Sequence, residues 1–293
     1  MNPSTSHAEN LRFTHGMAVG YVVFLYLSSF VLEVFIVIPF LFGNTPFFYL
    51  HMSAYLYCMA NIAGYYYKTV KCDVSCEQTP LSPRVPVESS SACFFCHDCQ
   101  MNSPGRAHHC NLCGKCIDRR DHHCYFIANC IGLANLRYFI VLNVFAGIMS
   151  IYSVTINVVY LSRTAIPLSP LTVDGIMTLI PVVTFYKWFV GTIALYYMLV
   201  VMVTWLGLVQ ILISFLCGFF QMRLLWTGQT TYEYSHNIHT YDKGWRLNYQ
   251  EVCGRFWLLR WLLPLPSMRS FVCNDRSEDT YTVWEEDGPR KVL

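Results

Sequence analysis

CHDCQMNSPGRAHHCNLCGKCIDRRDHHCYFIANC, residues 96 to 130, packs seven cysteines and five histidines into thirty-five positions. Cysteines two residues apart recur three times in it, at Cys96/Cys99, Cys110/Cys113 and Cys113/Cys116. A Cys-x2-Cys turn brings two thiolates onto one ion with little strain, and a disulfide framework would not need the histidines. The stretch therefore reads as metal binding. Thiolates kept for metal imply a reducing, cytosolic surrounding.

The flanks are of another kind. Apolar residues make up 54 % of the 293-residue chain and charged residues 13 %, and mean hydropathy is +0.36. About a quarter of an average soluble chain is charged, so this is the composition of an integral membrane protein. A net charge of +2 and the lack of a basic block exclude nucleic acid as a partner. The first fifteen residues are polar and do not read as a secretory signal. Residues 16 to 42 are apolar apart from Glu33, enough to cross about 30 Å of hydrocarbon as a helix. A carboxylate there is costly, so Glu33 is expected to face protein or the membrane edge. Further spans are expected over Phe47 to Val70 and Tyr138 to Leu161. Residues 176 to 220 are apolar for 45 positions, broken by Lys187. The last span is placed near Met198 to Phe220, with 176 to 197 open between a surface segment and a further crossing.

Loop charge sets orientation. The 71–137 loop carries seven Lys/Arg, the 43–46 turn none, and the region after residue 222 nine. Loop and C-terminal region therefore share the cytosolic side, and four spans satisfy that most simply. The expected architecture is an all-α polytopic membrane protein with a cytosolic cysteine-rich loop domain between helices 2 and 3. Its parts are an N-terminal tail (1–15), a transmembrane hairpin (16–70), the cysteine-rich domain (71–137), helices 3 and 4 with a lumenal connection (138–222), and a cytosolic C-terminal region (223–293). In the last, FWLLRWLLPL at 256–265 is too short to span. It suits a helix on the membrane surface or one packed against the cysteine-rich domain.

Between residues 96 and 130 the seven cysteines and the paired histidines give eleven candidate donors, and two zinc ions need eight. The surplus leaves a member of the Asp-His-His-Cys run free for chemistry. A thiolate beside a histidine that takes its proton, with a carboxylate orienting that histidine, is an activated nucleophile. Two metal sites would pin the loop so that neighbouring side chains converge. The rival reading is a non-enzymatic membrane scaffold that presents a two-zinc interaction module.

The residues resemble the cysteine-rich domain of the DHHC protein S-acyltransferases (palmitoyltransferases). That pattern, C-x2-C-x9-HC-x2-C-x2-C-x4-DHHC-x5-C, is met from Cys96 to Cys130 with every gap fitting. The four-span layout, a T-T-x-E run at Thr230, Thr231 and Glu233, and Asn248 six residues before Gly254 resemble the family as well. The resemblance implies one zinc on Cys96, Cys99, His109 and Cys116, and another on Cys110, Cys113, His123 and Cys130. It implies Cys124 as the acylated nucleophile, His122 as its base and Asp121 as the group that orients His122. Thr230, Thr231, Glu233 and Asn248 would be structural support, with Thr231 bracing the aspartate and Asn248 docking the C-terminal region. The implied reaction moves a long-chain acyl group from acyl-CoA, through Cys124, to cysteines of substrate proteins at the cytosolic face of a Golgi or endoplasmic reticulum membrane. Arg119 and Arg120 are candidates for the CoA phosphates. The chain departs from the family at Tyr125-Phe126, where Pro-Trp is usual, and at Asp73-Val74-Ser75, where Asp-Pro-Gly is usual.

Overall fold

The computed structural model describes residues 3–76, 93–164, 173–254, 257–265, 281–285 and 288–292. The Ser/Pro-rich linker TPLSPRVPVESSS lies outside the described residues. Two compact units emerge. One comprises Gly20–Ala63 and Leu142–Phe219, the other Met1–Val19, Gly64–Val141 and Phe220–Leu293.

The first unit is helical. Helix α1 (Pro3–Leu32) runs through a wider π turn at Glu33–Val37 into α2 (Ile38–Phe42), and α3 spans Phe48–Lys71. Later come α4 (Leu133–Thr164), α5 (Val173–Thr178), α6 (Pro181–Phe189) and α7 (Leu195–Thr227). Among the described residues three segments are long and apolar enough to cross a membrane: Glu9–Phe42, Leu133–Thr164 and Leu195–Thr227. Helix α3 has 24 residues, about 36 Å at ~1.5 Å per residue, so its length suffices. Its His51, Ser53 and Asn61 make it more polar than the other three.

The structure adds detail at two places. Helix α1 begins at Pro3, ahead of the apolar stretch, because no glycine or proline interrupts residues 4 to 15 and Pro3 is tolerated in a first turn. The apolar stretch from 176 is broken. Helix α6, with nine residues, reaches only about 13 Å, well under the hydrocarbon thickness. Gly191, in the left-handed region at φ 77°, separates it from α7. Within the helical unit Glu33 is fully buried beside Ser153 and Asn157 of α4. The costly carboxylate faces protein, as a polar group in a span must. Helices α4 and α7 approach closely where Gly207 meets the Val154 methyl and Gly147 meets Ser214, the usual role of small residues between membrane helices.

The cysteine-rich part of the second unit holds three antiparallel hairpins among the described residues. Strand β1 (Cys93–Cys96) pairs with β2 (Met101–Pro104), β3 (His108–Cys110) with β4 (Lys115–Ile117), and β5 (His122–Cys124) with β6 (Asn129–Ile131). A small apolar cluster of Val74, Cys110, Ile117 and Cys130 lies among them. Val74 belongs to the turn that departs from the family. Asp73 closes that turn, accepting from Ser75 N at 3.0 Å and Lys115 Nζ at 3.0 Å.

After α7 come α8 (Thr231–Ser235), α9 (Trp245–Cys253), α10 (Trp257–Leu262) and a last hairpin, β7 (Tyr281–Glu285) with β8 (Gly288–Val292). Tyr65 donates to the carbonyls of Arg260 and Trp261 at 2.8 and 3.0 Å, and Arg137 and Tyr138 donate to that of Leu265 at 2.8 and 3.0 Å. Residues 257–265 are thus docked on the ends of α3 and α4, with Leu258, Leu259 and Leu262 exposed.

Gly132 joins β6 to α4. A Cβ there would stand 2.7 Å from the Asp118 carbonyl and 2.8 Å from the Ile117 side chain. Gly132→Ala is expected to cost about 1–3 kcal/mol, read as a lower thermal midpoint of the detergent-solubilised protein.

Candidate active site and metal centres

The hairpins repeat with a period legible in the chain. Cys96, Cys110 and Cys124 stand 14 residues apart, as do His109 and His123, Cys116 and Cys130, and His108 and His122. In each of the last two hairpins a histidine faces a cysteine across the ladder: His109 opposite Cys116 and His123 opposite Cys130. Each such cross-strand pair meets the Cys-x2-Cys turn of the preceding hairpin. The result is two groups, Cys96–Cys99–His109–Cys116 and Cys110–Cys113–His123–Cys130, with donor atoms within 4.8 Å of one another.

These groups fit zinc. Sγ of Cys99 lies 3.2 Å and Sγ of Cys96 3.7 Å from His109 Nδ1. In the second group, the sulfurs of Cys113, Cys130 and Cys110 lie 3.3, 3.6 and 3.7 Å from His123 Nδ1. A tetrahedron with Zn–S near 2.3 Å has edges of about 3.7 Å. Burial, reinforced by His15 and Arg120, pushes the His123 pKa down to about 4, so the ring is neutral as a ligand must be.

Cys124 occupies the first position of a third turn. Ile127 stands where that turn's second cysteine would be, and helix α4 follows in place of a fourth hairpin. Among the described residues Cys124 belongs to neither donor group, although it is of ligand type. Strand alternation settles which way the paired histidines point. His123 turns to the second cluster, while His122, two residues from Cys124, shares the sulfur's face. His122 Nδ1 lies 2.7 Å from Asp121 Oδ2, leaving its other nitrogen for the Cys124 sulfur, and its ring meets Phe139 edge-on. Burial opposes the His122 charge, but Asp121 and Cys124 outweigh it and raise the pKa to about 9.

Asp121 is buried, and both its oxygens are taken. Oδ1 accepts from Thr231 N at 2.7 Å and Thr231 Oγ1 at 2.8 Å, and Oδ2 accepts from Gln221 Nε2 at 2.8 Å besides His122. Burial would raise its pKa, but His122 and these donors hold it below the ordinary carboxylate value. Thr230 caps α8 in a capping box. It accepts from Glu233 N at 3.3 Å while its own N–H donates to Glu233 Oε2 at 2.8 Å. Glu233 also takes both arms of Arg106, whose guanidinium donates to the Gly228 carbonyl at 2.8 Å as well. Asn248 is fully buried. It donates to the Trp226 carbonyl at 2.9 Å and accepts from Lys243 N at 3.0 Å, joining α9 to the end of α7. Gly228, at φ 65°, leaves room for it: a Cβ there would lie 2.7 Å from Asn248 Oδ1.

The sequence-predicted site residues all lie in this unit: eight form the two donor groups, His122 and Thr231 meet Asp121, Thr230 and Glu233 build the cap beside it, and Asn248 stands apart, between α9 and α7. Three points escaped the sequence. Gln221 gives no signal, lying inside an apolar helix. Arg106 looked like one more loop charge. Arg119 is corrected: it is buried, donates to the Gly228 carbonyl at 3.2 Å and pairs with Glu251 at 3.3 Å, so it is not available to CoA phosphates.

The chain thus carries membrane-length helices, two Cys/His groups that fit a metal, and a thiol, an imidazole and a carboxylate in contact at Cys124, His122 and Asp121. The comparisons agree. A family model described as DHHC palmitoyltransferase matches residues 90–238. Palmitoyltransferase ZDHHC22 of Danio rerio is 32% identical over 279 residues, which cover 89% of this chain and 94% of that protein. The Rattus norvegicus and Homo sapiens proteins of the same name are 28% and 27% identical, each over 267 residues, covering 87% of this chain and 94% of theirs. The chain belongs to the DHHC palmitoyltransferase family.

Because the His122 pKa is raised on folding, the stability this group contributes is full below about pH 6.5 and lost as pH rises through about 9. Thermal midpoints are expected to fall between pH 7 and pH 10, and His122→Ala should flatten that slope.

Proposed function

We propose that Cys124 is the nucleophile of the palmitoyl transfer, with His122 moving its proton and Asp121 orienting His122. The chain is a protein S-palmitoyltransferase by family. The observation that carries the residue assignment is the His122 contact with both the Asp121 carboxylate and the Cys124 sulfur, on a strand whose other face serves a ligand cluster.

In the first step the Cys124 thiolate attacks the carbonyl carbon of a long-chain acyl-CoA. The bond to the Cys124 sulfur forms, the bond to the CoA sulfur breaks, and the CoA thiolate takes the proton held by His122. In the second step a substrate cysteine gives its proton to His122 and attacks the acyl-enzyme, and the Cys124 thiolate leaves. One thioester replaces another in each step, so no energy source is required. The thiolate is the reacting form of a cysteine nucleophile. Asp121, Thr231 and Gln221 keep the ring aimed. Zn2+ on Cys96, Cys99, His109 and Cys116, and on Cys110, Cys113, His123 and Cys130, would serve as structural ions that lock the hairpins.

The same reading takes α3 as a fourth span, on its length, and keeps the cysteine-rich domain of residues 71–137 and the C-terminal region from 223 on the cytosolic side, on their Lys/Arg content. Residues 16–70 and 138–222 are then the two membrane pairs, and the N-terminal residues 1–15 are cytosolic. Acyl-CoA is the co-substrate, cytosolic-face cysteines of proteins are the acceptors, and the membrane is that of the Golgi or endoplasmic reticulum by family resemblance. Arg120 remains a candidate for CoA phosphate.

Purified protein incubated with radiolabelled palmitoyl-CoA should take up hydroxylamine-labile label. Cys124→Ser should take up none, and His122→Ala should slow uptake by about 10²–10⁴-fold. Undiminished label in Cys124→Ser would overturn the assignment, and no label in the wild type would favour the scaffold.

A further inference from the structure

His109 and His123 both turn Nδ1 toward their cysteines, so Nε2 is the outer nitrogen of each ring and, in a ring that ligates through Nδ1, the one left to carry the N–H. A partner for that outer N–H fixes the tautomer and strengthens the ligand. At the first cluster a partner is local. Asp98, the third residue of the Cys96–Cys99 turn, places Oδ2 4.0 Å from His109 Nε2. The second turn carries Leu112 at the same position, 14 residues on, and Leu112 packs on the apolar cluster of Val74, Cys110, Ile117 and Cys130. That turn offers His123 no carboxylate.

His15 supplies the partner instead. Its Nε2 lies 2.9 Å from His123 Nε2, and the two rings stack with centroids 5.1 Å apart at 22°. Tyr125, which replaces the family's usual proline, adds its ring at 5.4 Å from both. His15 immediately precedes the apolar run of α1, so its position along the chain is tied to that helix.

We propose that His15 is the outer partner of His123, a positioning residue that fastens the N-terminal helix to the hairpin carrying Cys124. His123 Nε2–H donates and His15 Nε2 accepts, with the His15 proton on Nδ1. The proposal rests on reading the second cluster as a zinc site.

The test uses the purified full-length protein. Zinc is counted by elemental analysis, and its release to an excess of the chelator 4-(2-pyridylazo)resorcinol is followed in time. Wild type should hold one ion per cluster and release both slowly. In His15→Ala one ion should leave about 10–100-fold faster, with the other unchanged. His15→Gln, which offers an amide oxygen near the position of Nε2, should restore slow release. Wild-type release rates in His15→Ala overturn this inference alone. So does equal acceleration of both ions, which marks general loosening, and so does fast release that glutamine fails to restore. Wild type without zinc overturns the cluster assignment and this inference together.

Discussion

Everything at the site depends on the pairing of His123 with Cys130 across one short ladder. Three-residue strands with four small apolar groups between them cannot hold a unique fold by burial alone. Donor pairs fixed at tetrahedral spacing can, because metal binding adds its free energy to folding. Once His123 and Cys130 point to one side, alternation forces His122 and Cys124 to the other. The neighbouring histidines therefore take separate tasks without any special backbone device.

The second constraint is electrostatic. A buried carboxylate keeps its charge only if its oxygens are satisfied, and Asp121 receives donors from two distant parts of the chain. Thr231 reaches it because Thr230 starts α8 with a capping box, and the Glu233 of that box is held by Arg106 from the hairpin region. Asn248 and Gly228 fix the end of α7 from which Gln221 projects. The residues after the last long helix thus form the wall against which the aspartate is held.

Much of this was legible. Spacing alone announced metal ligands, and composition announced the membrane. The division of eight ligands into two sets came from resemblance, although the 14-residue recurrence could have yielded it without any relative. Other features leave no mark on a single chain. Gln221 sits in an apolar run and earns its contact only through the fold. Arg119 reads as a surface charge until Glu251, more than a hundred residues away, is seen beside it. The stretch before α7 was ambiguous because periodicity cannot separate one long apolar helix from several short ones.

The unfinished third repeat has a further consequence. Cys124 retains the strand position of a coordinating sulfur, with the His122 imidazole two residues before it on the same strand. A thiophilic cation in excess would find there a sulfur and a nitrogen two residues apart, part of a coordination shell already assembled. The feature that leaves this sulfur outside the two donor groups therefore also leaves it open to capture by a thiophilic ion.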